Sequence, residues 1–274
     1  MVEFPIQIKQ IIAFTKRDFY SWTTYKTVVI TQIINIFIGV FSWGVTATYV
    51  NKPVSQMYGS GTSYISFLLV GIAISNLIMP LAQGVHSQLN PWTIETILMT
   101  GVSTPVFIIG NIMWTYIFSI LNFIPYLLIG IFVFNVTLNV NVISMVVAFV
   151  ISAAILVGLA MISTGLMIVT KSMDPITWVI NVFSNIFAGV SFPVIYLDTI
   201  FFPGVSTISW VLPQTWVYHL CRLSMLTNPS FLDPQILIEF LKGSAFAVIL
   251  LPLGYKVFRW GISRSKREGT LGWY

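Results

Sequence analysis

The sequence predicts an all-α integral membrane protein with six transmembrane helices, an N-terminal amphipathic interfacial helix and short re-entrant outer helices between spans five and six. Of its 274 residues, 57% are hydrophobic and 8% are charged, whereas soluble domains are about 25% charged. Between Thr96 and Thr170 there is no Asp, Glu, Lys or Arg. As one helix this stretch would be about 110 Å long, against a bilayer core of about 30 Å. It must therefore fold back, and the polar residues 135–141 are the expected turn.

Six apolar stretches along the chain predict the spans, at residues 27–49, 63–84, 105–134, 142–170, 175–192 and 236–255. The third contains Pro125, which removes a helical hydrogen bond and favours a kink. The sixth reaches membrane length only if residues 236–241 belong to it, so Glu239 and Lys242 are expected at its outer mouth. The chain is predicted to be one domain over residues 1–274, with an interfacial helix at 1–26, a six-span bundle at 27–260 and a cytoplasmic tail at 261–274.

The distribution of basic residues predicts the orientation, because Lys and Arg are retained on the cytoplasmic side. With the N-terminus inside, ten Lys and Arg residues lie in inner segments and three, namely Lys52, Arg222 and Lys242, lie in outer ones. The sequence therefore predicts a multi-pass protein of the cell membrane with both termini cytoplasmic. The net charge of +5 is explained by this topology, and no nucleic-acid partner is expected.

The N-terminal segment, residues 4–25, repeats apolar residues at helical spacing among four charged ones. This pattern is typical of an amphipathic helix at the inner interface of the bilayer. Two roles stay open for it at this point: an anchor that sets the angle of the first span, or a docking element.

The loop at residues 86–104 is predicted to be cytoplasmic, yet it contains no Lys or Arg. Asn90 can cap a short helix with Pro91 at its first position, Glu95 suits the positive end of the helix dipole, and Gly101 can end the helix. Such a helix is either packed against its own chain or offered to another protein.

The outer segment at residues 191–233 is rich in Trp, Phe, Leu and Pro, where a solvated loop would be polar. It predicts short apolar helices broken by turns that dip into the outer leaflet and pack on protein there. The alternative is that its aromatic residues form an interface belt.

Other functional classes find little support in the residues. A carrier coupled to protons or sodium needs an ionisable side chain within the membrane, and Asp174, Asp198 and Glu239 all fall at span ends. His86 and His219 are predicted on opposite sides of the membrane and cannot share a metal ion. The sequence also contains no G-x-x-x-x-G-K-[ST] motif for binding ATP. No ring of acidic or carbonyl-rich sequence marks a channel filter.

Three stretches resemble the membrane subunit of type-2 ABC exporters, the family of polysaccharide and drug-efflux permeases. Residues 93–103 are similar to the coupling element that lies between spans two and three of that family. Residues 188–197 are similar to its motif at the end of span five, except that Asp198 follows where a proline is usual. Residues 212–222 are similar to its motif before the last span, and the order of the three agrees.

The resemblance implies an ATP-driven permease subunit that moves an amphipathic, lipid-linked or drug-like substrate outward. It would have no catalytic residues and no cofactor of its own, because ATP and Mg²⁺ would be bound by two copies of a separate ATPase subunit. A second permease copy or a paralogue would complete the path through the lipid bilayer. The alternative is a secondary carrier or a channel that is not coupled to ATP.

The resemblance also assigns two sets of site residues. The coupling helix that would dock on the ATPase contains Pro91, Trp92, Thr93, Ile94, Glu95 and Thr96. The outer re-entrant gate contains Gly189, Phe192, Pro193, Leu197, Pro213, Trp216 and Arg222.

Overall fold

The computed structural model describes residues 4–50, 62–87, 100–170, 182, 186–227, 230 and 233–268. These ranges are mostly helical and contain no β-strand, which confirms an all-α protein. The helices are α1 (Phe4–Thr24), α2 (Lys26–Val50), α3 (Tyr64–Ser87), α4 (Thr104–Phe134), α5 (Val142–Thr170), α6 (Leu197–Ile200), α7 (Val205–Val211), α8 (Pro213–Leu226) and α9 (Pro234–Arg267).

Four of the described helices are long and apolar enough to cross a membrane. Their candidate spans are Lys26–Ala47, Met113–Phe134, Val142–Thr170 and Pro234–Arg267. In α3 the described apolar stretch is shorter, Tyr64–Leu77. Most of the predicted fifth span, at residues 175–192, lies outside the described residues. The chain is therefore membrane-embedded in character, and the number of six spans stays a prediction.

The predicted turn at residues 135–141 is confirmed, and it also closes the end of another helix. Asn135 ends α4 in the left-handed conformation with φ 52°. The backbone N–H groups of Asn139 and Asn141 then donate to the carbonyls of Met225 and Ser224, at 3.0 and 3.3 Å. Because the last carbonyls of a helix have no partner within it, the turn supplies donors that α8 needs.

Helices α5 and α9 run parallel and touch through glycine. A Cβ atom on Gly254 would lie 2.4 Å from the carbonyl oxygen of Gly158, and one on Gly261 would lie 2.4 Å from that of Gly165. Small residues of this kind let two backbones approach closely in membrane bundles. Parallel packing is what the predicted topology requires of spans four and six.

Helix α9 continues well beyond the predicted end of the bundle at residue 260. It includes residues 261–267, which were expected to belong to the tail, and ends at Arg267. Ile262 and Ser265 are buried, so this part of the helix still packs on the bundle. Arg264, Lys266 and Arg267 occupy its last turn, where positive charge is favoured by the helix dipole.

The predicted N-terminal helix is present as α1, and it packs alongside the first half of α4. Phe14 contacts Phe107 with ring centroids 6.2 Å apart, and Trp22 contacts Phe118 at 5.6 Å. After a break at Tyr25, α2 follows the second half of α4, and its Gln32 Nε2 donates to Asn122 Oδ1 at 2.8 Å. The location of α1 in the membrane interface stays a prediction.

Candidate functional site: the α6–α8 cluster

The segment at residues 186–227, here called the α6–α8 cluster, is organised around Arg222. This side chain is only 1% exposed, although the residue was counted from sequence among the outer charges. Its guanidinium donates to the backbone carbonyls of Gly189 and Val190 and lies 3.7 Å from the centroid of the Phe67 ring. A buried charge is costly unless it is compensated, and these carbonyl dipoles and the ring face provide that compensation.

Two glycines contact the guanidinium: Gly71 leaves space for it, and Gly189 accepts its hydrogen bond through the backbone carbonyl. Gly189 has φ +77°, a left-handed conformation that is strained for residues with a Cβ. Gly71 on α3 is in direct contact with the guanidinium, because a Cβ there would lie 1.8 Å from Arg222 Nη2. Arg222 therefore joins α8, α3 and the chain before α6 at one point.

The residues after Gly189 form a compact corner. Pro193 and Leu197 are buried and flank a 3₁₀ turn, Val194–Tyr196. The Tyr64 hydroxyl on α3 donates to the Ser191 carbonyl at 3.1 Å. Phe192, by contrast, is 50% exposed. The structure therefore brings Gly189, Pro193, Leu197 and Arg222 into one packed unit, with Phe192 on its surface.

Asp198 closes the turn between α6 and α7. Its Oδ1 accepts from the backbone N–H groups of Ser206 and Gly204, at 2.8 and 3.1 Å, and its Oδ2 accepts from the Ser206 hydroxyl at 2.5 Å. The hydroxyl bond first, and then the backbone bonds, hold the pKa of Asp198 below its ordinary value. The residue that replaces the proline usual in the resembled family thus acts as the cap of α7.

Pro213 and Trp216 lie near the start of α8, before Arg222. Pro213 occupies the first turn of α8, where proline is well tolerated. The Trp216 indole donates to the Trp210 carbonyl at 2.8 Å, and its ring packs on Phe246 of α9 at 6.0 Å. Trp216 and Arg222 therefore contact different helices, Trp216 packing on α9 and Arg222 on α3.

A cavity of about 580 Å³ opens between α8 and the first turns of α9. His219 and Glu239 face each other there, with His219 Nε2 3.6 Å from Glu239 Oε2. Lys242 Nζ donates to Glu239 Oε1 at 2.8 Å. The sequence placed Glu239 and Lys242 only at the mouth of a span. The one signal in the sequence was the acid–base spacing of three residues, which puts both side chains on one helix face.

The predicted coupling residues Pro91, Trp92, Thr93, Ile94, Glu95 and Thr96 lie outside the described residues. The chain that follows them is described from Thr100. Gly101 has φ +76°, a left-handed backbone conformation that favours glycine. Val102 lines a second cavity of about 340 Å³ together with Phe14 and Arg17 of α1. The start of α4 is therefore bordered by the N-terminal helix.

Within the described ranges, no group of three His, Cys, Asp or Glu side chains is placed to hold a metal ion. The lone Cys221 is buried, and its Sγ lies 3.4 Å from Ser152 Oγ. No protein-family model matches this chain, and no curated protein matches its sequence.

Proposed function

We propose that this chain is the membrane-spanning permease subunit of an ATP-driven exporter of the type-2 ABC class. The observation that carries the proposal is the α6–α8 cluster. It is a compact group of short helices placed before the last membrane helix and held to α3 by Arg222. Its two ends coincide with residues 188–197 and 212–222, the stretches that resemble that family.

The cluster suits a cap over a transport path. Its helices are short and apolar, and α8 is buried along nearly its whole length. In the proposed orientation the cluster re-enters the outer leaflet, where irregular backbone must be covered by protein. Movement of α3 would reach the cluster directly through the contact between Gly71 and Arg222.

Energy would enter from the opposite end of the bundle. The sequence has no P-loop motif, so ATP and Mg²⁺ are assigned to two copies of a partner ATPase. The segment around Glu95 joins α3 to α4, and a push on it would act on both helices. Closure of the ATPase subunits would favour one of two arrangements of the bundle. A second permease, either a copy or a paralogue, would face this chain across the path.

The substrate class follows from the small number of charges. An amphipathic, lipid-linked or drug-like molecule suits a nearly uncharged bundle better than a small ion does. Both termini are proposed to be cytoplasmic, in the cell membrane.

The test is purification of the tagged chain in mild detergent, with identification of the proteins that remain bound. A P-loop ATPase is expected with the wild-type chain and is expected to be lost in Glu95→Lys combined with Trp92→Ala. Reversal of charge at Glu95 costs only about 0.3–1 kcal/mol through the helix dipole, too little to unfold the bundle. A docking surface suffers far more from an uncompensated charge.

Glu268→Lys is the matched control, because Glu268 is an exposed carboxylate that pairs with Arg264 at 2.9 Å. It should retain the ATPase. If the wild-type chain captures no ATPase, the protein is a carrier or channel independent of ATP. If the paired substitutions retain the ATPase fully, the assignment of residues 91–96 as the coupling helix is wrong.

A further inference from the structure

The cavity between α8 and α9 has an aromatic wall. Trp210 packs against Trp216 with ring centroids 5.0 Å apart, and the His219 ring stands edge-on to Trp210 at 5.0 Å. The Trp216 N–H is already engaged by the Trp210 carbonyl. The wall therefore consists largely of aromatic rings, whose faces carry negative charge density.

A cation already lies at this wall. The Lys242 ammonium is 5.8 Å from the centroid of the Trp216 ring and 2.8 Å from Glu239 Oε1. A ring face and a carboxylate around one ammonium group are the elements that recognise alkylammonium ligands. The protein's own lysine thus marks the place where a ligand cation would be bound.

Lys242 is weakly held there. Its side chain is 51% exposed, whereas that of Glu239 is 27% exposed. Ion pairs of this exposure contribute little stability, so Lys242 can turn into water and leave Glu239 and the rings to another cation. Glu239 keeps its contact with His219 in either case.

The other lining residues indicate which group the ligand carries beside its cation. Leu223 and Ile236 line the same cavity, so an apolar group has a place beside the cation. A volume of about 580 Å³ is within the usual range of small-molecule sites. An anion would be repelled by the Glu239 carboxylate, although Lys242 lines the same cavity.

We propose that this cavity binds amphipathic organic ammonium cations. The ammonium group of Lys242 competes with them for Glu239 and the aromatic rings. The site requires no ATPase and no particular orientation in the membrane, so it stands apart from the proposed function.

The test is equilibrium dialysis of radiolabelled 3-phenylpropyl-trimethylammonium against the full chain in lipid nanodiscs, with empty nanodiscs subtracted. The wild-type chain should bind it saturably. Glu239→Gln should weaken binding about tenfold or more, since the carboxylate charge that attracts the ammonium group is removed. Lys242→Gln should tighten binding about two- to fivefold, the value of an exposed ion pair that no longer competes.

Two controls isolate the charge. Glu268→Gln removes a paired carboxylate at the other end of α9 and should leave binding unchanged. The neutral isostere of the probe, with tert-butyl in place of trimethylammonium, should show no saturable binding.

The proposal is overturned if neither the wild-type chain nor Lys242→Gln binds the probe, or if Lys242→Gln weakens binding. It is equally overturned if Glu239→Gln matches Glu268→Gln, or if the isostere binds as tightly as the cation. Should Glu239→Gln fail to give a monodisperse protein, Trp210→Leu replaces it, and retained wild-type affinity there is the contrary result.

Discussion

Gly71 and Arg222 are in contact so close that no side chain fits between them. A Cβ on Gly71 would lie 1.8 Å from Arg222 Nη2 and 2.7 Å from the Val190 carbonyl oxygen. Gly71→Ala should therefore displace the guanidinium and destabilise the protein by about 1–3 kcal/mol, as overpacking does in other cores. Thermal unfolding in detergent measures the effect.

Gly130→Ala is the control for Gly71→Ala. A Cβ on Gly130, which like Gly71 is in an apolar helix, would meet nothing closer than Val136 Cγ2 at 3.6 Å. Its substitution should be neutral or slightly stabilising, because alanine favours helix. Equal losses at the two positions would show that contact with Arg222 is not the cause.

Arg222→Met should destabilise the α6–α8 cluster because the Gly189 and Val190 carbonyls lose their donors. A buried polar group left without a partner costs about 1–3 kcal/mol. In the Arg222→Met background Gly71→Ala should then cost far less than alone, since both changes act through one contact. Thermal unfolding of the wild type, the two single variants and the double variant gives the coupling free energy between the two substitutions. Strict additivity would contradict the structure.

The cap at Asp198 predicts a local dependence on pH. The folded pKa of Asp198 lies below its ordinary value of about 3.9. The stability that the ionised carboxylate gives to α7 is therefore complete above a pH of about 3.9. It is lost as the pH falls through the folded pKa. At neutral pH, Asp198→Asn should speed hydrogen exchange at Ser206 and across α7, and acidification of the wild-type chain should loosen α7 in the same way. Asp233→Asn, at the cap of α9, is the control and should leave α7 unchanged.

Two glycines of α9 should differ in their tolerance of alanine. A Cβ on Gly254 would lie 2.4 Å from a backbone oxygen of α5, whereas one on Gly243 would meet Leu220 Cδ1 at 2.5 Å, the end of a flexible side chain. Gly254→Ala should cost about 1–3 kcal/mol and Gly243→Ala clearly less. Thermal unfolding compares them, and the reverse order would argue against the close crossing of α5 and α9.

Cysteine labelling tests the predicted orientation. The native Cys221 is fully buried, so the wild-type chain should resist a membrane-impermeant maleimide. Thr137→Cys and Thr207→Cys are exposed and should react in intact cells, whereas Lys266→Cys should react only after permeabilisation. Thr137 is a better probe than the buried Val136 beside it. Labelling of Lys266→Cys in intact cells would show that the predicted orientation is inverted.

The ends of the helices were predictable where a local property of the sequence determines them. The turn at residues 135–141 contains the only cluster of polar residues in a long uncharged stretch, and the structure turns there. The end of α9 was missed because Lys256 and Arg259 indicate the bilayer boundary, whereas a helix can continue beyond that boundary when long side chains reach water. What holds residues 261–267 in place is contact with α5, which is remote in sequence.

The site was less predictable than the fold. Arg222 was counted among the outer charges and assigned to the gate, but its burial was not predicted. Its compensation comes from carbonyls 32 and 33 residues earlier in the chain and from a ring on α3. The spacing of apolar residues along the sequence does not indicate such long-range contacts. The cavity at Glu239 likewise depends on how α8 lies against α9. Asp198 was identified only as a departure from a motif, and its role as a cap emerged from its bonds to Ser206.

The glycine contacts between α5 and α9 have a mechanical consequence. Backbone touches backbone at Gly158–Gly254 and again, seven residues further along both helices, at Gly165–Gly261. Neither helix can turn about its axis without opening this seam. We therefore expect α5 and α9 to move together as one rigid unit, and any rearrangement of the bundle to take place where this unit contacts the other helices.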